Sequence, residues 1–417
     1  MLIQFSVENF MSFREKAILS MMPSSDTSKE DNLISGEKTR CLKSAVVYGA
    51  NASGKSNLFK AMAAAIILIR NSNAMQTGFM IPEMQPFRFR EEALQYPSKF
   101  EFIFVTNGTK YVYGFSATQA EVIEEYLYVY YSAKASRIFE RLKSNQYEFS
   151  VDKKKLRDIA TKNTNNKLFL STATAWNYDK TRDAFLWFLN GIDVYDAESI
   201  RQDFSAFEND KDGSLKRFTT NLLKESNINI TEFDFKAEYL TPEIIATLPS
   251  EVINIIKEDR VKHVEIQTGH QVETQDGQAN TYFLDLKDES LGTQHLFHLS
   301  PVLKYAFENG KTIIFDEFDG HLHPLLARYI IQLFHDPNVN KQNAQLIFNT
   351  HDTSLLTLEL FRRDQIYFTE KNSKSGGSDL YSLDEFSVRA NENVKNGYLQ
   401  GRYGAIPFLG RGGGLWD

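Results

Sequence analysis

The chain has 417 residues, of which 42% are hydrophobic and 24% charged, a balance that is typical of folded proteins and excludes wholesale disorder. Its net charge of −7 gives no overall attraction to nucleic acid or anionic membranes, and its single cysteine excludes an internal disulfide framework and a cysteine-based zinc site. The longest apolar run, which begins at Ala61, is too short to span a bilayer, and the first five residues lack the pattern of a secretory signal. We therefore expect a cytoplasmic protein that does not contact membranes.

The first elements in chain order are predicted to be strands, followed by a strand that leads into a helix. Apolar residues alternate with polar ones at Ile3, Phe5 and Val7, and residues 17–19 would return beside them as a second strand. Residues 44–48 form a short, mostly apolar strand, and residues 56–68 place apolar side chains at helical spacing. The loop between that strand and that helix is the first candidate functional segment.

Residues 49–56 have the spacing Gly-x-x-x-x-Gly-Lys-Ser of a phosphate-binding loop. In such a loop the backbone amides cradle phosphates, the lysine neutralises their β and γ oxygens, and the serine hydroxyl reaches Mg²⁺. A chance match in a glycine-rich turn is the alternative, and the strand before and helix after argue against it. The residues predicted to bind the nucleotide are Gly49, Asn51, Ala52, Ser53, Gly54, Lys55, Ser56 and Asn57, with Lys55 also catalytic and Ser56 also a Mg²⁺ ligand.

The middle of the chain is predicted to be rich in strands and then in helices. Phe100, Phe102 and Phe104 alternate with polar residues, and Asn107-Gly108 has the composition of a hairpin turn before a returning strand. We interpret these aromatic residues as core rather than as a surface that stacks on nucleic-acid bases, because the period of two explains them. Residues 175–260 are mostly helical in pattern.

Residues 311–317 are predicted to be an apolar strand that ends in Asp316 and Glu317. Burying two carboxylates is costly unless they hold a metal or a proton, so Asp316 is predicted to orient Mg²⁺ and Glu317 to polarise the attacking water. A solvated acidic turn is the alternative, and the phosphate-binding loop makes it less favourable. A further strand, residues 345–349, precedes His351, which at the carboxyl end of a parallel strand would point into a ligand crevice and contact a γ-phosphate.

Ser290 and Gly292 stand at the start of an amphipathic helix in which Leu296, Leu299 and Leu303 share a face. A Ser-x-Gly sequence at a helix start offers a hydroxyl and backbone amides to an anion. An ordinary N-cap explains the same residues equally well when they are taken alone. The order of the segments along the chain favours the functional interpretation.

This order of motifs resembles ABC-type ATPases of the SMC/RecF/OLD branch, in which ATP lies between two heads. The resemblance implies an α/β fold, a P-loop NTPase head of ABC type with a mixed sheet core, a flanking antiparallel β lobe and an inserted, mainly helical lobe. It implies ATP and Mg²⁺ as cofactors, hydrolysis of ATP to ADP and phosphate by Lys55, Glu317 and His351, and a second copy that supplies Ser290 and Gly292. This sequence departs from the family's signature, because Leu-Ser-Gly-Gly is relaxed here to Ser-Leu-Gly-Thr.

The resemblance also implies a division of the chain and one more metal ligand. Residues 1–175 would be the N-terminal part of the head, 176–270 a mainly helical insertion or lid, and 271–417 the C-terminal part with the signature, the acidic pair and the switch histidine. Gln85 would be the glutamine that couples Mg²⁺ to this lid, although no spacing rule fixes its position.

More narrowly, the chain resembles AbiLii/RloA-type ATPases of phage-defence loci in residues 85–89, 97–104 and 398–407. This implies a homo-oligomer that gates a separately encoded effector, such as a nuclease or toxin, in abortive infection, with a phage protein as the trigger. Two alternatives stay open: a RecF/SMC-like DNA-repair head, and a monomeric kinase or GTPase. The basic run at Lys153 keeps nucleic acid as a partner that is not favoured, and the missing Asn-Lys-x-Asp motif counts against a GTPase.

Overall fold

The computed structural model describes residues 1–35, 40–143, 145–196, 200, 204–240, 262–273, 276, 278–320, 322–389 and 392–407. The chain divides into two compact units. The first unit comprises Met1–Asp196, Ala306–Asp319 and Ala327–Asp417, and the second comprises Ala197–Tyr305 and Gly320–Leu326. Within the described residues, no helix combines the length and apolar character that crossing a membrane requires.

Strands and helices follow one another mostly in runs along the chain. The strands are β1 Leu2–Glu8, β2 Ala17–Ser20, β3 Leu33–Ser35, β4 Arg40–Leu42, β5 Ser44–Gly49, β6 Ser98–Thr106, β7 Thr109–Ala117, β8 Val122–Tyr130, β9 Ser136–Leu142, β10 Gln146–Phe149, β11 Ile192–Tyr195, β12 Glu232–Tyr239, β13 Lys262–Glu273, β14 Ala279–Asp285, β15 Thr312–Phe315, β16 Gln345–Asn349, β17 Ile366–Lys371 and β18 Ser378–Ser382. The α-helices are α1 Lys55–Asn71, α2 Lys153–Ala160, α3 Phe169–Ala175, α4 Asp179–Leu186, α5 Ser205–Glu208, α6 Ser214–Glu225, α7 Leu291–Asn309, α8 Pro324–His335 and α9 Val394–Leu399.

The first unit contains a seven-stranded antiparallel sheet in the order β10-β9-β8-β7-β6-β1-β2. The predicted hairpin joins β6 to β7, and Asn107 and Gly108 have φ values of 48° and 69°, as a tight primed turn requires. Phe100, Phe102 and Phe104 are all at least 98% buried, which confirms the interpretation that these aromatic residues belong to the core.

The first unit also contains a six-stranded sheet in the order β11-β15-β16-β5-β17-β18, in which all neighbours are parallel except β17 and β18. Parallel strands place their carboxyl ends at one edge of the sheet. The loops that follow β5, β15 and β16 therefore start side by side, although these strands are far apart in the chain. Together the two sheets and their helices confirm the predicted α/β fold with a flanking antiparallel lobe.

Helix α1 starts at the end of the loop after β5 and buries a nearly continuous apolar face. Leu58, Met62, Ala65 and Ile66 are all at most 2% exposed and belong to one core cluster with residues of both large sheets. This packing confirms the helix predicted from apolar spacing, and it anchors the loop at the helix N-terminus.

The second unit contains an antiparallel sheet in the order β12-β13-β14 together with α5 and α6. Its core is aromatic, since the ring centroid of Phe297 lies 5.0 Å from the ring centroid of Phe207 and 4.9 Å from that of Phe233. Residues 176–270, predicted to be mainly helical, hold α4, α5 and α6 but also β11, β12 and most of β13, while residues 241–261 lie outside the described part. The strand β12 forms because Phe233 and Phe235 alternate with polar residues, a period of two that suits pairing with β13.

Candidate functional site

The loop between β5 and α1 closes around the side chain of Lys55. The Lys55 Nζ donates hydrogen bonds to the carbonyl oxygens of Gly49 at 2.8 Å and Ala50 at 3.1 Å, so the ammonium lies inside the turn of the loop. Two residues of the loop have φ in the left-handed region, Ala52 at 61° and Gly54 at 116°. A Cβ atom on Gly54 would lie 2.5 Å from the Ser378 Oγ, so this position needs glycine for space as well as for its φ.

Side chains that are distant in sequence brace this loop. The hydroxyls of Ser53 and Thr369 lie 2.6 Å apart, which ties the loop to β17. On the other side, Asn57 Nδ2 donates to the Ser12 Oγ at 2.9 Å, and the Ser12 carbonyl accepts from the Ser378 amide at 2.7 Å. The loop is therefore held between β17 and the turn that follows β1.

Asn349, the last residue of β16, connects the two acids that follow β15. Its Nδ2 donates to the Asp316 Oδ1 at 2.5 Å, and its Oδ1 accepts the Glu317 backbone amide at 2.6 Å. Asn349 is fully buried, whereas the Glu317 side chain is exposed and its backbone has a φ of 58°. One amide side chain therefore orients the Asp316 carboxylate and supports the left-handed turn at Glu317.

The charges at this edge of the sheet act on one another. Lys55 is only 6% exposed, and burial lowers the pKa of its ammonium below the ordinary value. The negative charges of Asp316 and Glu317 oppose part of that shift. The ammonium is therefore a desolvated cation with two carboxylates near it. Because little water solvates this cation, it would attract an entering phosphate more strongly than an exposed lysine does.

A cavity of about 590 Å³, here called the P-loop cavity, opens at this edge. Ten of the residues predicted for the site line it: Asn51, Ala52, Ser53, Gly54, Lys55, Ser56, Asn57, Gln85, Glu317 and His351. The residues in its wall that were not among the site predictions are Met11, Ser12, Arg88, Phe89, Asn349 and Lys371. The strands β16 and β17, the turn after β1 and the segment before β6 therefore contribute to one cavity.

Four predicted residues do not line the P-loop cavity. Gly49 lines a neighbouring cavity of about 480 Å³ that also includes His351, and Asp316 is held against Asn349. Ser290 and Gly292 belong to the second unit. The Ser290 Oγ accepts the Thr293 amide at 3.1 Å, so Ser290 acts as the N-cap of α7, which is the ordinary role considered as its alternative.

Among the wall residues that sequence reasoning missed, Asn349 is the one that contacts both acids. It appeared only as the end of a predicted strand, although a polar residue closing an apolar strand next to an acid-ending strand was a usable signal. Its hydrogen-bond partners could not be deduced, because no local sequence pattern shows that β15 and β16 are neighbours.

On the prediction from the sequence that this cavity binds ATP with Mg²⁺, we expect Asn349→Ala to lower the rate of ATP hydrolysis by roughly 10- to 100-fold and to weaken the apparent Mg²⁺ affinity, since the Asp316 carboxylate loses its orienting donor. The measurement is phosphate release over a Mg²⁺ titration, with thermal unfolding followed in parallel because Asn349 is buried. The exposed Asn338→Ala serves as the matched control. Wild-type Mg²⁺ dependence in a folded Asn349→Ala variant would contradict the orienting role.

The phosphate-binding loop between β5 and α1, at the edge of a mostly parallel sheet, defines the class of protein as a P-loop domain. Residues 44–357, more than half of the chain, match the family described as "AAA domain, putative AbiEii toxin, Type IV TA system", and the chain belongs to this family. No curated protein matches the chain in sequence.

Solved structures with similarity to the chain include Smc heads and a part of an ABC transporter complex, all at low sequence identity. One is an Smc head bound to the C-winged helix domain of ScpA, with 12% identity, a TM-score of 0.37 and coverage of 91% of this chain and 97% of that chain. Another is an Smc head domain with an extended coiled coil bound to the C-terminal domain of ScpA, derived from Pyrococcus furiosus, with 12% identity, a TM-score of 0.39 and coverage of 92% and 97%. A third is cbiO1 from Clostridium perfringens, part of the ABC transporter complex cbiONQ, with 10% identity, a TM-score of 0.30 and coverage of 92% and 90%.

Proposed function

We propose that this protein binds and hydrolyses ATP in the P-loop cavity and that ATP joins two copies of the chain. The observation that supports this best is the meeting of Lys55, Glu317 and His351 around one cavity, next to the Asp316–Asn349 pair. In this proposal the loop amides and Lys55 hold the phosphates, because a helix N-terminus and a buried ammonium both favour negative charge.

The residues near the loop fit a Mg²⁺ ion that is bound together with the phosphates. Mg²⁺ in nucleotide sites takes one or two carboxylates plus phosphate oxygens and waters rather than a complete cage of protein ligands. The described residues offer no cluster of three or more His, Cys, Asp or Glu side chains, whereas the Asp316 carboxylate is oriented by Asn349. We assign Ser56, Asp316 and Gln85 to hold the ion, which neutralises charge on the β and γ oxygens when it is bound.

Glu317 and His351 take the roles closest to the reaction. The Glu317 carboxylate is exposed at the cavity, so it can accept a proton from the attacking water while its backbone is held by Asn349. His351 is also exposed at the cavity and directly follows the strand β16, two residues after Asn349. We assign it to contact the γ-phosphate, so that loss of this phosphate releases the contact.

The second copy would complete each site with Ser290 and Gly292. These residues start α7, whose N-terminus favours an anion, and Ser290 is exposed there. ATP would then act as a bridge between two heads, and hydrolysis would separate them. This motion would gate a separately encoded effector, such as a nuclease or toxin, with a phage protein as trigger, as in the AbiLii/RloA-type defence ATPases that the sequence resembles. The matched family's description names a putative toxin of a Type IV TA (toxin–antitoxin) system, which supports a separately encoded partner without specifying an effector.

A mixing experiment tests the composite site. Lys55→Ala removes the lysine that binds phosphate. Ser290→Arg places a bulky cation at the position that one copy supplies to the ATP site of the other. Each variant alone is therefore expected to be inactive. A heterodimer of the two retains one complete site, and a one-to-one mixture should recover about a quarter of the wild-type hydrolysis rate if two-fold dimers exchange freely. Phosphate release before and after mixing is the measurement.

The controls separate a broken site from a broken fold. Ser132→Arg places the same substitution on an exposed turn between β8 and β9 and should hydrolyse ATP at the wild-type rate. Mixing two portions of the same variant should recover nothing. Wild-type hydrolysis by Ser290→Arg alone, or no recovery on mixing two folded variants that exchange subunits, would refute a shared site.

A further inference from the structure

The wall of the P-loop cavity includes the aromatic ring of Phe89, which takes no part in holding the phosphates or Mg²⁺ in the proposed function. Phe89 lines the cavity together with Arg88 and Lys371, and 65% of its surface is exposed. A single exposed aromatic residue does not by itself indicate a binding site, because the surfaces of folded proteins contain many such residues. The position of Phe89 differs from such cases because several elements hold its ring at the mouth of a cavity.

Three contacts fix the ring of Phe89. The buried Phe87 meets it edge to face, with the centroids 5.6 Å apart and an interplanar angle of 86°. The turn between β17 and β18 lies against it, since a Cβ atom on Gly376 would be 2.5 Å from the Phe89 Cδ2. The Lys371 Nζ lies 5.3 Å from the ring centroid. The ring is therefore placed in advance, so a ligand that stacks on it loses little conformational freedom of the protein.

The same cavity joins this ring to the phosphate loop. Lys55 and the loop amides lie in one part of the wall, and Phe89, with the half-buried Met11 and the cation of Lys371, forms another part. A nucleoside triphosphate has the same two parts, a polyanion and a flat aromatic base. We propose that Phe89 is the platform on which the base of the bound nucleotide stacks, an inference that rests on nucleotide binding in this cavity.

Stacking on Phe89 has a consequence for specificity. Every nucleobase has a π face, so a stacking platform favours nucleotides over inorganic polyphosphate but discriminates weakly between one base and another. Purines present more ring area than pyrimidines and bind better to such a platform. The expected ligand class is therefore purine nucleoside triphosphates, with tripolyphosphate bound only through the loop.

Binding measurements on Phe89 variants test the platform. We expect Phe89→Ala to weaken ATP affinity by roughly 5- to 150-fold, which corresponds to the stacking of one base, and to leave tripolyphosphate affinity unchanged. Phe89→Trp should keep ATP affinity and report binding, since its indole fluorescence is quenched by ATP and not by tripolyphosphate. Isothermal titration calorimetry and fluorescence titration without Mg²⁺, which the proposed hydrolysis requires, give both affinities at equilibrium.

Phe79→Ala is the matched control, because Phe79 is also 65% exposed, precedes Phe89 by ten residues and does not line the cavity. It should bind ATP as the wild type does. If the wild type binds ATP and Phe89→Ala binds it equally well, the platform is refuted while the proposed function stands. If the wild type binds neither ATP nor tripolyphosphate, the proposed function fails and the platform fails with it.

Discussion

Glu317→Gln is expected to slow ATP hydrolysis by roughly 10²- to 10⁴-fold while ATP still binds, because an amide of the same size cannot accept the proton of the attacking water. The substitution leaves the surroundings of the residue unchanged. The Glu317 contact to Asn349 is made by its backbone amide, and its side chain is exposed. Rapid-mix measurement of phosphate release in a single turnover is the assay, with ATP binding measured separately.

The same variant should accumulate in the ATP-bound, joined state, since the step that separates the heads is removed. Light scattering coupled to size-exclusion chromatography should therefore detect a larger species for Glu317→Gln with ATP than for the wild type. Glu148→Gln, an exposed glutamate on β10, is the control and should behave as the wild type in both assays. If Glu317→Gln hydrolysed ATP at the wild-type rate, Glu317 would not be the residue that accepts the proton of the attacking water.

Much of the site could be predicted because its parts are local. The phosphate-binding spacing lies within eight consecutive residues, 49–56, between a strand and a helix that their own apolar patterns indicate. Asp316 and Glu317 directly follow an apolar strand, and His351 follows another. Each of these signals needs only the residues next to it in the chain.

The connections between these parts could not be predicted, because they depend on which strands are neighbours. Asn349 reaches both acids only because β16 pairs with β15, and this pairing joins segments more than thirty residues apart in the chain. Ser12 and Thr369 brace the loop from opposite ends of the sequence. The position of the Phe89 ring likewise depends on Gly376, which lies in the turn after β17.

The predicted helical character of residues 176–270 illustrates the competition between local and distant signals. Residues 214–225 of this segment form the helix α6, whereas residues 232–239, in which aromatic and polar residues alternate with a period of two, form the strand β12. A strand of this kind is stabilised by its partner, here β13, whose pairing cannot be recognised from the strand alone.

Lys55→Met should give the largest loss of nucleotide affinity, roughly 30- to 4,000-fold for ATP, because a desolvated charge that pairs with phosphate is removed. In the nucleotide-free protein, by contrast, the substitution should leave the folding stability unchanged or raise it. Burial lowers the pKa of the Lys55 ammonium, so the unfolded chain holds this proton more tightly than the folded one. The charged lysine therefore opposes folding at neutral pH, and this penalty decreases as pH rises from the lowered pKa toward the ordinary value.

Two melting temperatures separate these effects. Without nucleotide, Lys55→Met should melt at or above the wild-type temperature, although the carbonyls of Gly49 and Ala50 lose their donor. With ATP, the wild type should gain stability in proportion to the logarithm of ATP concentration, and the variant should gain little at the same concentrations. Lys60→Met, on an exposed position of α1, is the control and should keep the full response to ATP. An undiminished ATP response in Lys55→Met would show that the loop binds phosphate without its lysine, whereas a lower melting temperature without nucleotide would show that the buried ammonium stabilises the fold.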